Sequence, residues 1–324
     1  MWKYILKRLL WLIVILLCVA VLIFVILWFV PGDPAQIILG TGATQADIVR
    51  QREIMGLNRP FITQLLDFLS DTFIHLDFGD SYVYATPVIS EFATRLPRTL
   101  GLGMISMLLN IVIGIPLGVN AAIHRNSFQD QGLLVMAMIF ISVPQFWLAL
   151  MMVMFFSVKM GWLPPYGVGG WQYWIMPVLA NSLSGIAGNA RQTRSAVLET
   201  IRADYVTTAR AKGLSERVVI YKHMLPNALI PVVNALGMQL AMVVGGTVVI
   251  ENVFSFPGIG QYLLTGVNSR DYPVIRGSVL ILAAFTAVVT LLVDLFYAYL
   301  DPRIKAQYVN YGAKKKKGGN KNGK

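Results

Sequence analysis

Long runs without charged residues are the feature that most constrains this sequence. A helix needs about 20 apolar residues to cross the hydrocarbon core of a bilayer. The first run, 9–30, follows three basic residues and precedes VPGDPA rather than a small-residue cleavage pattern, so we expect a retained span and not a removed leader. Five further runs have the composition of spans: 99–123, 132–158, 171–190, 228–250 and 277–300. The run 171–190 is the weakest, because it contains four Asn and Ser residues.

Composition supports this interpretation. The 324 residues are 56% hydrophobic and 13% charged, whereas a soluble domain carries roughly 25% charged residues. We therefore predict an all-α polytopic membrane protein with six transmembrane helices. Six spans place both termini on the same side of the membrane.

Lysine and arginine indicate which side that is. The segments 1–8, 124–131, 191–227 and 301–324 hold 19 of the 27 Lys and Arg residues. Basic loops stay in the cytoplasm, so we expect both termini and the loop 191–227 to be cytoplasmic. The formal charge of +11 is explained by this bias and by an oligolysine tail, and we expect contact with the lipid bilayer but not with nucleic acid.

The spans divide the chain into four parts. Residues 1–30 contain the N-terminus and the first span. For residues 31–98 we predict a small external helical subdomain, which is either a passive cap or a docking element. Its stretches TQADIVRQREIMGL and FITQLLDFLSDTF are typical of short amphipathic helices. Residues 99–300 form a five-helix core that includes the loop 191–227. Residues 301–324 are a basic, low-complexity tail.

The sequence gives little support for an enzyme. Cys18 is the single cysteine, and His75, His124 and His223 lack the i, i+4 spacing of a helical zinc site. The sequence has no G-x-x-x-x-G-K-[ST] phosphate loop and no evident nucleophile with a base. We expect no catalytic residue, no bound cofactor and no metal in this chain.

The charged stretch 202–231 interrupts the apolar pattern while keeping helical spacing. Gly213 occupies the position after a helix where glycine is favoured, and Pro226 follows a second short apolar face. A helix–glycine turn–helix hairpin at the inner membrane surface is predicted. It could lie on anionic lipid, or it could dock a cytosolic partner, since Ala209, Ala211 and Gly213 would allow close approach.

This hairpin resembles the cytoplasmic loop of permease subunits of bacterial ABC importers, in the dipeptide/oligopeptide/nickel branch. The importer pattern is E-A-A, three residues, G, nine residues, I-x-L-P. Ala209, Gly213, Leu225 and Pro226 match it, while Thr-Thr replaces E-A and His223 replaces I. The form TARAKGL is similar to that of the peptide branch.

The resemblance covers almost the whole chain. The strings PGDPA, GLNRPFITQ, LDFGDS, RLPRTL, GTVVIENVFSFPGIGQ, RDYPVIRG and VDLFYAYLDPRIK follow in the order of that branch. The resemblance implies the type I ABC importer permease fold, in the bacterial cytoplasmic (inner) membrane. It also implies a second homologous permease, two cytosolic ATPase subunits that bind ATP and Mg²⁺, and an external substrate-binding protein. The expected solute is a di- or oligopeptide, with nickel or another small solute as the alternative.

The same resemblance supplies the site residues. Gly213 would permit the turn, and Arg210 and Lys212 could pair with acidic groups of the ATPase or with lipid phosphate. The predicted ATPase-coupling residues are Asp204, Tyr205, Thr208, Ala209, Arg210, Ala211, Lys212 and Gly213.

A gate or pathway role is assigned to three further residues. Glu251 and Asn252 lie at the outer end of the fifth predicted span. Asp294 is an ionisable residue within the last span, where a structural ion pair competes with contact to solute.

Three other classes of protein are alternatives to the importer permease. A channel or secondary transporter would need paired polar residues at the midplane and inverted repeats. An intramembrane protease would need a nucleophile and a base inside a span, yet all three histidines lie in loops. A scaffold without transport would be separated from a permease by a transport assay.

Overall fold

Helices account for nearly all regular structure in the computed structural model, which describes residues 2–40 and 42–300. Two short helices in the outer segment, α3 (Gln45–Ile54) and α4 (Phe61–Ser70), confirm the expected pair of helices, but only α4 has the expected amphipathic pattern. α3 begins with a reciprocal cap in which Thr44 and Asp47 bond to each other's backbone N–H. The first five helices are α1 (Trp2–Phe29), α2 (Pro34–Leu39), α3 (Gln45–Ile54), α4 (Phe61–Ser70) and α5 (Val88–Ile123).

The central helix of the bundle is α8 (Gln172–Thr200). It packs against α5 and against three helices of the second part of the chain: α6 (Phe128–Ser142), α7 (Gln145–Lys159) and α10 (Glu216–Ala228). Short helices lie on either side of it in the sequence. The remaining helices are α6 (Phe128–Ser142), α7 (Gln145–Lys159), α8 (Gln172–Thr200), α9 (Asp204–Ala211), α10 (Glu216–Ala228), α11 (Ile230–Ala241), α12 (Val243–Val253), α13 (Ile259–Ser269) and α14 (Tyr272–Leu300).

Three helices are each long and apolar enough to cross a membrane: α1, α5 and α14. Two bent pairs, α6 with α7 and α10 with α11, have the composition of one span each, which raises the number to five within the described residues. The predicted all-helical, membrane-spanning architecture is confirmed, but the prediction of six spans is confirmed only in part. α8 is 29 residues long, yet its polar residues keep it outside the apolar set.

The third predicted span is wrong as a single helix. The run 132–158 is broken between α6 and α7, whose axes differ by 97°. Pro144 causes the break, because proline has no N–H to donate and forces the residue before it into an extended conformation. Val143 accordingly has φ −73° and ψ 125°.

Two other span boundaries also differ from the prediction. α5 begins at Val88, well before the predicted start at residue 99, and so extends into the outer segment. The run 228–250 is divided among α10, α11 and α12, with a 48° bend between α10 and α11. Pro231 lies in the first turn of α11, where its missing N–H costs nothing.

The contact between α5 and α8 depends on small residues. A Cβ built on Gly114 would lie 2.9 Å from the carbonyl oxygen of Ile186, and one on Gly118 would overlap the carbonyl oxygen of Ala190. This is the close approach that the Gly114–Gly118 pair predicts for membrane helices.

Candidate functional site

The hairpin of α9 and α10 confirms the predicted helix–glycine turn–helix. α9 ends at Ala211, and Gly213 follows with φ +75°. A side chain at Gly213 would meet nothing within 4 Å, so the turn requires glycine for its left-handed backbone and not for space. The hairpin is therefore locally encoded.

One face of the hairpin is buried in the chain's own core. Val206 is fully buried and Ala209 is 5% exposed. They pack in a cluster with Val197 of α8 and with Val219 and Met224 of α10. Because α5 also contributes to this cluster, the hairpin is fixed to the ends of two long helices.

The opposite face is open. Seven of the eight predicted coupling residues lie on this exposed surface, and Ala209 does not. The close approach expected at Ala209 is therefore made within the chain. The seven exposed residues are Asp204, Tyr205, Thr208, Arg210, Ala211, Lys212 and Gly213.

Arg210 is paired inside the hairpin. Its Nε donates to Glu216 Oε1 at 2.8 Å, which links α9 to the start of α10 across the turn. Both side chains are exposed, so the pair contributes about 0.2–1 kcal/mol at most. Lys212 is exposed and forms no ion pair among the described residues.

A buried ion pair beside the hairpin was missed from the sequence. Arg194 of α8 donates two hydrogen bonds to the carboxylate of Asp130 in α6, one of them at 2.8 Å from Nη2 to Oδ2. Asp130 is 1% exposed and also accepts from the backbone N–H of Asn126 at 2.9 Å. The one available signal was Ser127 three residues before Asp130, a helix-start pattern.

Glu251 lies at the other end of the bundle, in α12, and is fully buried. Its Oε1 accepts from the hydroxyls of Thr99 at 2.8 Å and Thr247 at 2.9 Å. Its Oε2 accepts from the N–H groups of Gly260 at 2.7 Å and Gln261 at 3.2 Å, in the first turn of α13. The positive end of that helix favours the carboxylate.

This arrangement, the Glu251 cage, joins α5, α12 and α13. A Cβ at Gly258 would overlap the carboxylate, so the glycine in FPGIG makes room for it. The sequence had indicated Glu251 but neither Thr99 nor Gly258. Asn252, its predicted companion, is exposed and takes no part in the cage.

Asp294 lies on α14 and forms an ion pair with Arg8 of α1, with 3.0 Å between Nη1 and Oδ2. The structure thus contains the structural ion pair that is the alternative to solute contact. The gate or pathway role of Asp294 stays a prediction.

A third buried carboxylate, Asp271, holds the outer segment. It is 1% exposed and accepts from Ser81 Oγ at 2.5 Å and from the N–H groups of Tyr82 and Val83 at 3.1 and 3.2 Å. The acceptor precedes α14, and the donors lie before α5. The segment between α1 and α5 is therefore tied to the start of the last span.

Known proteins resemble this chain along most of its length. Residues 114–306 match the family described as binding-protein-dependent transport system inner membrane component, and residues 1–103 match that family's N-terminal membrane component. The glutathione transport system permease protein GsiC of Salmonella choleraesuis is 41% identical over 305 residues, which cover 94% of this chain and 99% of that protein. The Escherichia coli K12 protein of the same name is 40% identical with the same coverage.

A solved structure supports the fold. The MetNI methionine ABC transporter, in inward facing conformations, contains a chain that aligns with a TM-score of 0.55 and 21% identity, covering 65% of this chain and 96% of that chain. The family match and the relatives show a transport-system permease subunit, a non-catalytic membrane component. The chain belongs to the family of binding-protein-dependent transport system inner membrane components, in the peptide/glutathione branch of ABC transporter permeases.

Proposed function

We propose that this chain is one of two homologous permease halves in an ATP-driven importer, and that α9 is the helix through which a cytosolic ATPase drives it. One observation carries the proposal: α9 is anchored through Val206 and Ala209 while its opposite face is exposed. An anchored helix with a free face transmits force from a partner, whereas a loose amphipathic helix does not.

Orientation follows from charge. The excess of Lys and Arg on the side of residues 191–227 supports a cytoplasmic hairpin and cytoplasmic termini. In this arrangement α8 also crosses the membrane and brings the number of spans to six. Its 29 residues are long enough for this. The segment 31–98 then faces outward, where a substrate-binding protein delivers solute, and ATP with Mg²⁺ is bound by the two ATPase subunits.

The proposed solute is a short peptide, with glutathione as the first to test. Glutathione is a tripeptide. The two relatives that are 41% and 40% identical to this chain, over 94% of its length, are named as glutathione transport permeases. Alternating access of the two permease halves would move it inward.

A substitution on the exposed face of α9 tests the coupling role. Ala211→Trp adds a bulky side chain without touching the buried face, and Ala46→Trp makes the same change at an exposed site on α3. After mild detergent extraction from the native membrane, Ala211→Trp should lose the ATPase subunits and keep the second permease. Ala46→Trp should keep both. If Ala211→Trp retains the ATPase subunits at the wild-type level, the coupling role assigned to α9 is wrong.

The solute is tested separately. The purified complex in proteoliposomes should take up labelled glutathione only with ATP and the binding protein present. Uptake of a dipeptide without uptake of glutathione would refute the choice of glutathione and leave the permease role intact.

A further inference from the structure

Arg276 lies one turn into α14 and lines two adjoining cavities of about 250 and 270 Å³. The first is bounded by the end of α1, by the outer segment and by the start of α14. The second extends from it towards α4. Both share Phe24, Leu57, Gln64 and Tyr82 with Arg276.

Three buried polar atoms of residues that line these cavities have no hydrogen-bond partner among the described residues. They are Nε of Arg276, the hydroxyl of Tyr272 in the first cavity and the hydroxyl of Thr72 in the second. The guanidinium of Arg276 lies 5.0 Å from the ring centre of Phe68, which stabilises its charge but accepts no N–H. Buried polar groups in folded proteins are normally paired, so these three point to a polar ligand.

Charge favours an anion in the first cavity. Among the described residues its charged lining consists of Asp33, Arg52 and Arg276, and Arg52 bonds to Asp33 at 2.8 Å. The lining of the first cavity therefore carries a net charge of +1, and a further carboxylate that acts on Arg276, Asp71, lines the second cavity. The second cavity contains three carboxylates, Asp67, Asp71 and Asp77, and is less suited to an anion.

The remaining wall of the first cavity is apolar and lies next to the bilayer. Phe24, Leu27 and Trp28 of α1 line it, and neighbouring side chains of α1, such as Leu22 and Phe29, are exposed. An anionic group here would sit where a transmembrane helix ends, at the depth of lipid headgroups.

We propose that the first cavity binds the phosphate of a phospholipid, which Arg276 holds through its planar donor fork and Tyr272 through its hydroxyl. Guanidinium and phosphate match in geometry as well as charge. The acyl chains would lie against the exposed side chains of α1. The site is separate from the hairpin and does not depend on the transport proposal.

Native mass spectrometry of the delipidated chain in detergent tests the site. Titration with phosphatidylethanolamine or phosphatidylglycerol should give one tight adduct, and diacylglycerol, which lacks phosphate, should give none. Arg276→Gln should weaken that adduct at least about tenfold, roughly 1.4 kcal/mol. Arg50→Gln, the same change at an exposed arginine on α3, should leave it unchanged.

Two further variants show whether the effect comes from lost phosphate contacts or from misfolding. Arg276→Lys keeps the charge without the fork and should bind with intermediate affinity. Tyr272→Phe should weaken binding by less than Arg276→Gln, and its melting temperature should match the wild type. A tight adduct with inorganic phosphate and none with phospholipid would overturn the lipid source. Equal lipid binding by wild type and a folded Arg276→Gln would overturn the site.

Discussion

Glu251 gives the sharpest test of the packing described above. Glu251→Gln keeps the shape of the side chain and removes its charge, whereas Glu251→Ala removes all four hydrogen bonds. The amide oxygen of Gln can still accept from Gly260 and Gln261, while its NH₂ group faces hydroxyls that can rotate to accept. We therefore expect a graded effect across the two variants.

The magnitudes follow from the donors in the cage. Hydrogen bonds to a charged group contribute about 1.5–3 kcal/mol each, and neutral ones about 0.5–1.5. Loss of charge assistance in Glu251→Gln should cost about 1–2 kcal/mol of folding stability. Glu251→Ala leaves the N–H groups of Gly260 and Gln261 buried and unpaired, and should cost about 3–5 kcal/mol.

Thermal unfolding in detergent, followed by tryptophan fluorescence, measures the effect. At about 2 °C per kcal/mol, the melting temperature should fall by roughly 2–4 °C for Gln and 6–10 °C for Ala. Asn252→Ala, at the exposed neighbour, should leave the melting temperature unchanged. An equal fall for Gln and Ala, or no fall for Ala, would refute the reasoning.

Three other sites give independent predictions. Gly118→Ala should lower stability by about 1–3 kcal/mol because its methyl group overlaps α8, while Gly188→Ala, which has open space, should be neutral in the same melting assay. Asp271→Asn should weaken the attachment of the outer segment to the start of α14 by about 1–2 kcal/mol. Faster amide exchange at Tyr82 would show this weakening, and unchanged exchange would contradict it. Burial raises the pKa of Tyr262 to about 12 from its ordinary 10.0. The fold thus favours the neutral phenol, and this contribution is complete below pH 10 and lost as pH rises towards 12. Tyr262→Phe should remove that alkaline loss, and an unchanged pH–melting profile would count against it.

The hairpin could be predicted because its determinants are local. Gly213 ends α9, and the apolar residues of α9 recur at helical spacing, as Val206 and Ala209 show. The two outer helices were predictable for the same reason. Each of these features depends on residues within one or two turns of chain.

The Glu251 cage could not be predicted in full because its parts are distant in sequence. Thr99 is in α5 and Gly260 in α13, and no periodicity links them to Glu251. Asp130 and Arg194 were missed for the same reason. Hydropathy likewise could not show that Pro144 divides an apolar run, since proline changes direction without changing polarity.

α5 contacts the hairpin near one end and the Glu251 cage in the other half of the helix. Val119 packs in the cluster that anchors α9, and Thr99, about 30 Å away along the helix at 1.5 Å per residue, donates to Glu251. Between them α8 lies against α5 at Gly114 and Gly118, too close for the two helices to slide without collision. Close-packed interiors transmit displacement rather than absorb it. If α9 is the ATPase contact proposed above, a displacement of α9 would reach α12 and α13 through α5, and Glu251 would be the point at which α5 transmits it.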